Sequence, residues 1–124
     1  MNTVHKLEKL LLGFDEVEFA YLFGSYAKGT QDNRSDIDIA IFIKDGFNIF
    51  DTKLSVHHKL EITMLKDIDI ISLNNVKNFN LLEDILNIGI IIKESVDDSR
   101  IMFELRKEHE ILDYKAFQKM LNVA

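Results

Sequence analysis

The chain contains no cysteine and no proline among its 124 residues. Without cysteine it can form neither a disulfide nor a thiolate metal site. Its apolar runs, such as Ile-Gly-Ile-Ile-Ile at 88–92, are far shorter than the roughly 20 residues that a membrane helix needs. The N-terminal stretch mixes lysine, glutamate and leucine at helical spacing and lacks the basic-then-apolar layout of a signal peptide. We therefore expect a cytoplasmic location and no contact with a membrane.

Positive charge is also scarce, because 15 basic residues face 21 acidic ones and the net charge is −6. This balance argues against a protein whose main task is to hold nucleic acid, since such binding is driven by cations that release counterions from phosphates. We expect no direct nucleic-acid partner. A small nucleotide remains compatible with the charge, because metal ions can offset its phosphates locally.

The length and the patterning predict a single domain over 1–124. Apolar runs predict strands at 17–23, 36–42, 67–73 and within 88–94, and apolar spacing predicts helices before, between and after them. Asn80 with Glu83 resembles a capping box at the start of one helix, and Ser95 and Asp98 are candidate caps for the last helical segment. The alternation predicts an α/β (α+β) fold, with a small mixed sheet of about four strands and helices packed on it.

The stretch Leu-Phe-Gly-Ser-Tyr-Ala-Lys-Gly at 22–29 begins a candidate site. Gly24 follows a strand and precedes a helical segment, and the absence of a Cβ there lets backbone amides approach a phosphate. Ser25 adds a hydroxyl. Asp36 and Asp38 follow after a ten-residue spacer. On a strand these two carboxylates point to one face, so they can share Mg²⁺ ions, which prefer a few carboxylates together with substrate phosphates.

Each of these pieces has an ordinary structural explanation. A Gly-Ser pair is a turn in most proteins, and an Asp-apolar-Asp pattern on a strand is more often an exposed polar face. The combination is far more specific than either part, because the turn follows a buried strand and the aspartates open another apolar strand at a fixed spacing. We therefore interpret the combination as a phosphate and metal site.

Gly24-Ser25, the spacer and Asp36-Ile37-Asp38 resemble the signature of the nucleotidyltransferase superfamily related to DNA polymerase beta. The short chain and Gly-Ser-Tyr-Ala-Lys-Gly resemble its minimal nucleotidyltransferases (MNT). Asp69, in Ile-Asp-Ile-Ile-Ser-Leu-Asn-Asn, matches the third carboxylate of the family. The resemblance covers about 16–94, and the helical segment at about 96–122 matches only in kind. Two departures are Lys28, where arginine is common, and a spacer without proline.

The resemblance implies a polymerase beta-like nucleotidyltransferase fold and the transfer of a nucleotidyl group from ATP. Gly24 and Ser25 would bind its phosphates, and Asp36, Asp38 and Asp69 would be the catalytic carboxylates and the ligands of two Mg²⁺ ions. Asp69 would also position or deprotonate the acceptor hydroxyl. Minimal members commonly act as antitoxins that transfer AMP to a tyrosine of a HEPN-domain ribonuclease toxin. The implied partners are therefore ATP and such a toxin.

Two other functions remain open on the sequence. The fold also resembles aminoglycoside nucleotidyltransferases, which modify hydroxyl groups of small molecules, although those chains usually carry a large second domain. A second alternative is a non-enzymatic antitoxin subunit that masks its partner. The intact set of candidate carboxylates argues against masking alone, because like charges held together without a metal cost stability.

Several other residues have two open interpretations. Tyr26 either lines the nucleotide pocket or covers the turn, and Lys28 and Arg34 either steer phosphate or are solvated loop charges. The apolar residues of 101–121, including Tyr114 and Phe117, either dock a toxin or a second copy of the chain, or belong to the core. Asp67 is expected to be a solvated residue at the mouth of its strand. All four histidines, at 5, 57, 58 and 109, are expected on solvated helix surfaces.

Overall fold

The computed structural model describes residues 2–122, and over this range helices and strands alternate as the sequence predicts. The elements are α1 (Thr3–Leu11), β1 (Val17–Phe23), α2 (Ser25–Lys28), β2 (Ile37–Ile43), α3 (Ile49–Met64), β3 (Ile68–Ser72), α4 (Phe79–Ile88), β4 (Ile90–Lys93) and α5 (Ser99–Asn122), with a 3₁₀ turn at Leu73–Asn75. None of the helices in the described range has both the length and the apolar content that crossing a membrane requires.

The strands form a mixed sheet in the order β3-β2-β1-β4. β1 runs antiparallel to both of its neighbours, whereas β2 and β3 are parallel and are connected through α3. The predicted small mixed sheet is confirmed. In the parallel pair Asp38 lies directly beside Asp69, and Ile37 lies beside Ile68. The register therefore aligns the two repeated Asp-Ile stretches across neighbouring strands.

Helices cover both faces of the sheet. On one face, α1 and α3 contribute Leu7, Leu11, Val56 and Leu60 to a core that includes the branched residues of β2, among them Ile39. On the other face, α4 and α5 pack onto the aromatic residues of β1. That second core contains Phe19, Tyr21, Leu82, Ile85, Phe103 and Ile111. The period-two alternation of β1 and β2 thus divides their side chains between two buried layers.

The predicted capping box of α4 is wrong by two residues. Asn78, not Asn80, has the extended backbone of an N-cap, and its carboxamide oxygen accepts a hydrogen bond from the Leu81 amide at 3.1 Å. The helix already begins at Phe79, whose ring packs against Tyr114 with centroids 4.9 Å apart. Glu83 instead forms an ion pair with Lys115 of α5. The tertiary contacts of Phe79 favour the earlier start, and they are invisible in local spacing.

The start of α5 uses one of its two predicted caps as expected. The Ser95 hydroxyl accepts a hydrogen bond from the Arg100 amide at 3.2 Å. The carboxylate that accepts from the Ser99 amide, at 2.9 Å, belongs to Asp97. Asp98 contributes its backbone carbonyl, which accepts from the Met102 amide at 2.9 Å. The loop therefore satisfies the first amides of α5 with two side chains and one carbonyl.

α5 is attached to the sheet mainly through its first half. Phe103 and Ile111 are buried, and the Tyr21 hydroxyl donates a hydrogen bond to Glu104, which also accepts from Arg100 at 2.8 Å. Burial and the Glu104 carboxylate raise the pKa of Tyr21, so the phenol stays a donor. Ile101, Met102 and Leu105, which belong to the apolar residues of 101–121, are all at least 48% exposed. Part of α5 therefore presents apolar side chains to solvent.

Candidate active site

Gly24 connects β1 to α2 and lies directly against a candidate carboxylate. Its φ of 71° and ψ of −151° lie outside the regions that residues with a side chain readily adopt. A Cβ at this position would lie 2.2 Å from Oδ2 of Asp38. Glycine is therefore required twice, once by its backbone conformation and once by the space that the carboxylate occupies.

The turn after Gly24 is tightly hydrogen-bonded. The Gly24 carbonyl accepts from the amides of Ala27 and Lys28, each at 3.1 Å, and the Ser25 carbonyl accepts from the Thr30 amide at 3.0 Å. These bonds fix Ser25 at the first position of α2, one residue from the contact between Gly24 and Asp38. The Ser25 side chain is only partly buried, so its hydroxyl is accessible to a ligand.

The structure brings the three predicted carboxylates together. Asp38 lies on the central strand β2 and is half-buried, Asp69 lies beside it on β3, and Asp36 is exposed immediately before β2. Burial raises the pKa of Asp38, and the neighbouring charges of Asp69 and Asp36 raise it further. Three carboxylates therefore lie at one end of the parallel pair of β2 and β3, and the most buried of them has a raised pKa.

The carboxylates have the donor chemistry for Mg²⁺ but do not form a complete cage. Over residues 2–122 no salt bridge joins Asp36, Asp38 or Asp69 to a basic side chain. In the same range no three acidic, histidine or cysteine side chains converge closely enough to hold a metal by themselves. Mg²⁺ commonly combines one or two carboxylates with phosphate oxygens and water. The residues present therefore fit a Mg²⁺ ion that binds together with a nucleotide.

Asp67 differs from these three carboxylates in its position before β3. It is exposed and precedes β3, and its backbone carbonyl accepts a hydrogen bond from the Ile37 amide at 3.0 Å. Its side chain lines an open cavity of about 480 Å³ at the mouth of the parallel pair, which it shares with Asp36, Arg34 and Lys66. In the paired register Asp69 lies directly beside Asp38, so Asp69 is the member of its stretch that belongs to the cluster.

Tyr26, Lys28 and Arg34, whose roles the sequence leaves open, have different surroundings in the structure. Tyr26 packs against the core on the α1 and α3 face, and the Lys66 ammonium lies 5.7 Å from the centre of its ring. The Lys28 ammonium lies 3.7 Å from the carboxylate of Asp84 in α4. Arg34 lines the 480 Å³ cavity. Tyr26 therefore covers the turn, and of the two basic residues only Arg34 lines the cavity beside Asp36.

Glu61 and Lys66 are parts of this region that sequence patterning does not single out. A Glu61 carboxylate oxygen accepts a hydrogen bond from the Ile68 amide at 3.1 Å, and His57 lies 3.2 Å from the same oxygen. Lys66 reaches the carbonyl of Asn33 across the cavity at 3.5 Å. The first contact joins α3 to β3, and the second joins the loop after α3 to the loop before β2, so local spacing does not predict them. Histidines 5, 58 and 109 are exposed, as expected.

The chain is similar in sequence to known nucleotidyltransferases. The family described as "Polymerase beta, Nucleotidyltransferase" matches residues 5–98. Protein adenylyltransferase MntA of Shewanella oneidensis is 38% identical over 72 residues, which are 57% of this chain and 51% of that protein. A putative protein adenylyltransferase of Methanocaldococcus jannaschii is 33% identical over 81 residues, covering 65% of this chain and 78% of that protein. The match thus spans about half the length of MntA.

Several solved structures with the same fold come from toxin–antitoxin complexes. A toxin–antitoxin structure with AMP-PNP has a chain that is 25% identical, with a TM-score of 0.78 over 97% of this chain and 95% of that one. A complex of a tri-AMPylated Shewanella oneidensis HEPN toxin with its MNT antitoxin gives a TM-score of 0.70 at 22% identity, over 95% and 91%. These likenesses confirm the polymerase beta-like nucleotidyltransferase fold.

Proposed function

This chain belongs to the polymerase beta nucleotidyltransferase family, and we propose that it is a protein adenylyltransferase that acts as an antitoxin. In this proposal it transfers AMP from ATP to a tyrosine hydroxyl of a HEPN-domain ribonuclease toxin. The observation that carries the proposal is the contact between the Gly24 turn and Asp38, with Asp69 in register on the neighbouring strand. A phosphate-binding turn and a carboxylate cluster in direct contact are what nucleotidyl transfer requires.

Each residue of the site has a proposed role. Gly24 and Ser25 bind the triphosphate through backbone amides and the serine hydroxyl. Asp36, Asp38 and Asp69 hold two Mg²⁺ ions, which neutralise charge on the triphosphate and lower the pKa of the acceptor hydroxyl when bound. Asp69 orients that hydroxyl and accepts its proton. The hydroxyl oxygen forms a bond to the α-phosphorus while the bond from that phosphorus to the β-bridging oxygen breaks, and pyrophosphate leaves.

The choice of a protein acceptor rests on the relatives. Two curated relatives carry the name protein adenylyltransferase, one of them as a putative assignment, and similar solved chains are antitoxins in complex with HEPN toxins. These names favour a protein acceptor over a small molecule. We propose that the reaction takes place in the cytoplasm, where ATP and the RNA targets of a ribonuclease toxin are found, and that residues 1–124 act as a single domain.

Label transfer from ATP tests the function directly. The purified chain is incubated with MgCl₂, a HEPN toxin encoded beside its gene and ATP labelled at the α-phosphate. Label is expected on the toxin, and it should be lost when EDTA is added. ATP labelled at the γ-phosphate is the control, because AMP transfer leaves that phosphate in pyrophosphate whereas a kinase would transfer it. An unlabelled toxin that is nevertheless inhibited would contradict the proposal and favour masking.

A further inference from the structure

The loop that leads into Asp36 is closed by hydrogen bonds among its own residues. The Ser35 hydroxyl accepts a hydrogen bond from the Asp32 amide at 2.9 Å, and the Asp32 carboxylate accepts one from the Arg34 amide at 2.8 Å. The Ser35 amide donates to the Asp32 carbonyl at 3.2 Å. We call residues 32–35 the spacer turn. Its internal bonds fix its shape, but they do not fix its position relative to the rest of the site.

The side chain of Lys66 joins the spacer turn to two other segments. Its ammonium lies 3.5 Å from the Asn33 carbonyl oxygen. Over residues 2–122 this is the only hydrogen bond between the spacer turn and another segment of the chain. The same ammonium lies 5.7 Å from the centre of the Tyr26 ring, and Tyr26 belongs to α2, which begins at Ser25. Lys66 therefore connects the loop before β3, the spacer turn and α2.

The backbone directly before Lys66 has a conformation that leucine rarely adopts. Leu65 ends α3 with a φ of 55° and a ψ of 41°, and within residues 2–122 it is the only residue other than glycine with a positive φ. A Cβ makes this left-handed conformation unfavourable. Leu65 is 85% exposed, so burial of its side chain does not offset the strain. Because strained backbone is found mainly at functional sites, the segment at Leu65 and Lys66 is a candidate for a functional role.

We propose that Lys66 is a positioning residue, which holds the spacer turn and thereby orients the Asp36 carboxylate for Mg²⁺. This inference rests on the proposed function, which makes Asp36 a metal ligand. Asp36 directly follows the spacer turn, and it lines the same 480 Å³ cavity as Lys66. Asp38 and Asp69 are fixed by the pairing of β2 with β3, whereas Asp36 is exposed and lies outside that register. Asp36 is therefore the carboxylate of the cluster that most needs support from outside the sheet.

The charge of Lys66 offers a competing explanation for any effect on the metal. Over residues 2–122 no ion pair joins Lys66 to a carboxylate. The cavity is nevertheless lined by the carboxylates of Asp36, Glu61 and Asp67 and by a second cation, Arg34. Loss of either cation changes the local charge by one, but only Lys66 bonds to the Asn33 carbonyl from outside the spacer turn. Arg34 is therefore the matched control for charge.

Trypsin tests the hold on the spacer turn without metal, ATP or toxin. Arg34 is exposed within the turn, so the rate of cleavage after it reports local opening of the loop. Lys66→Met removes the donor to Asn33 and should speed this cleavage about fivefold, as followed by mass spectrometry. Lys66→Arg should restore the parent rate, and Lys59→Met, which removes an exposed lysine of α3, should leave it unchanged. Equal cleavage of the parent protein and Lys66→Met would overturn the proposal.

A Mg²⁺ titration tests the consequence for Asp36. With ATP present, the Mg²⁺ concentration that gives half of the maximal rise in Tm should increase about tenfold in Lys66→Met, because groups that orient metal ligands commonly contribute that much to affinity. Lys66→Arg and Arg34→Met should both stay within about twofold of the parent protein. No shift in Lys66→Met, or an equal shift in Arg34→Met, would overturn the positioning role. The proposed function fails separately if the parent protein is stabilised by Mg²⁺ and ATP but leaves the toxin unlabelled.

Discussion

The sequence Asp-Ile-Asp-Ile occurs twice, at 36–39 and 67–70, and the two copies lie side by side on parallel strands. In the first copy, Asp38 lies on a strand paired on both sides and touches the Gly24 turn. In the second, Asp69 lies on the edge strand and is exposed. Identical residues therefore differ in burial because of the strand order, which no local pattern encodes.

The difference also assigns separate tasks within the proposed site. Asp38 is confined between the turn and Asp69, so burial and neighbouring charge raise its pKa. Asp69 lies beside it on the edge strand and is exposed, so it is accessible to an acceptor. Asp36 and Asp67, the first aspartates of the two copies, both line the cavity at the mouth of the strands. We infer that the enclosed copy binds the nucleotide and that the exposed copy meets the acceptor.

The largest effect is expected from the enclosed carboxylate. Asp38→Asn should lower kcat for AMP transfer by about a thousandfold or more, because it removes a metal ligand beside the triphosphate. Asp36→Asn and Asp69→Asn should also abolish detectable transfer in a gel assay with α-labelled ATP. Circular dichroism should show an unchanged fold for all three variants. Substantial transfer by Asp38→Asn would contradict the proposed metal site.

The second largest effect on activity is expected at Gly24, where the turn contacts Asp38. Gly24→Ala places a Cβ 2.2 Å from the Asp38 carboxylate and must displace it. Misplacement of a reacting group by about 1 Å can cost about a hundredfold in rate, and we expect a loss of that order in kcat/KM. Gly46→Ala is the matched control, since Gly46 has a φ of 91° but its Cβ would meet nothing within 4 Å. Both variants should lose some stability, and only Gly24→Ala should lose activity.

The raised pKa of Asp38 predicts a pH-dependent stability difference. A carboxyl whose folded pKa lies above its unfolded value of 3.8 stabilises the fold at low pH, and this stability is lost as pH rises through the folded pKa. Asp38→Asn should therefore raise Tm at pH 7 without metal, and its advantage should shrink as pH falls towards 4. Thermal melts between pH 4 and 8 measure this. Mg²⁺ with ATP should stabilise the parent protein and not the variant.

The smallest effect is expected at the first aspartate of the exposed copy. Asp67→Asn should keep AMP transfer within about threefold of the parent rate, because Asp67 is exposed, precedes β3 and lies outside the paired register that sets Asp69 beside Asp38. Asp69→Asn is the matched control, because Asp67 and Asp69 lie two residues apart at the start of β3. Initial rates with α-labelled ATP decide the matter. Equal losses at Asp67 and Asp69 would show that both aspartates of the exposed copy take part.

Local pattern was sufficient for the elements but not for all of their boundaries. Alternation placed β2 at 36–42 and the structure has Ile37–Ile43, since the strand begins where the Ile37 amide bonds to the Asp67 carbonyl. The start of α4 was predicted two residues late, because Asn78 and not Asn80 caps the helix. The exposed Met102 and Leu105 of α5 were not distinguishable from core residues, because exposure depends on which face meets the sheet.

The sequence by itself determined the order of elements, the turn at Gly24 and the set of candidate carboxylates. These depend on periodicity, on backbone freedom and on side-chain chemistry, which are properties of neighbouring residues. The pairing of the strands made β3 an edge strand, brought Asp38 against Gly24 and placed Asp69 beside Asp38. The physical reason is that burial and charge at a site depend on residues distant along the chain, which meet only when the strands pair.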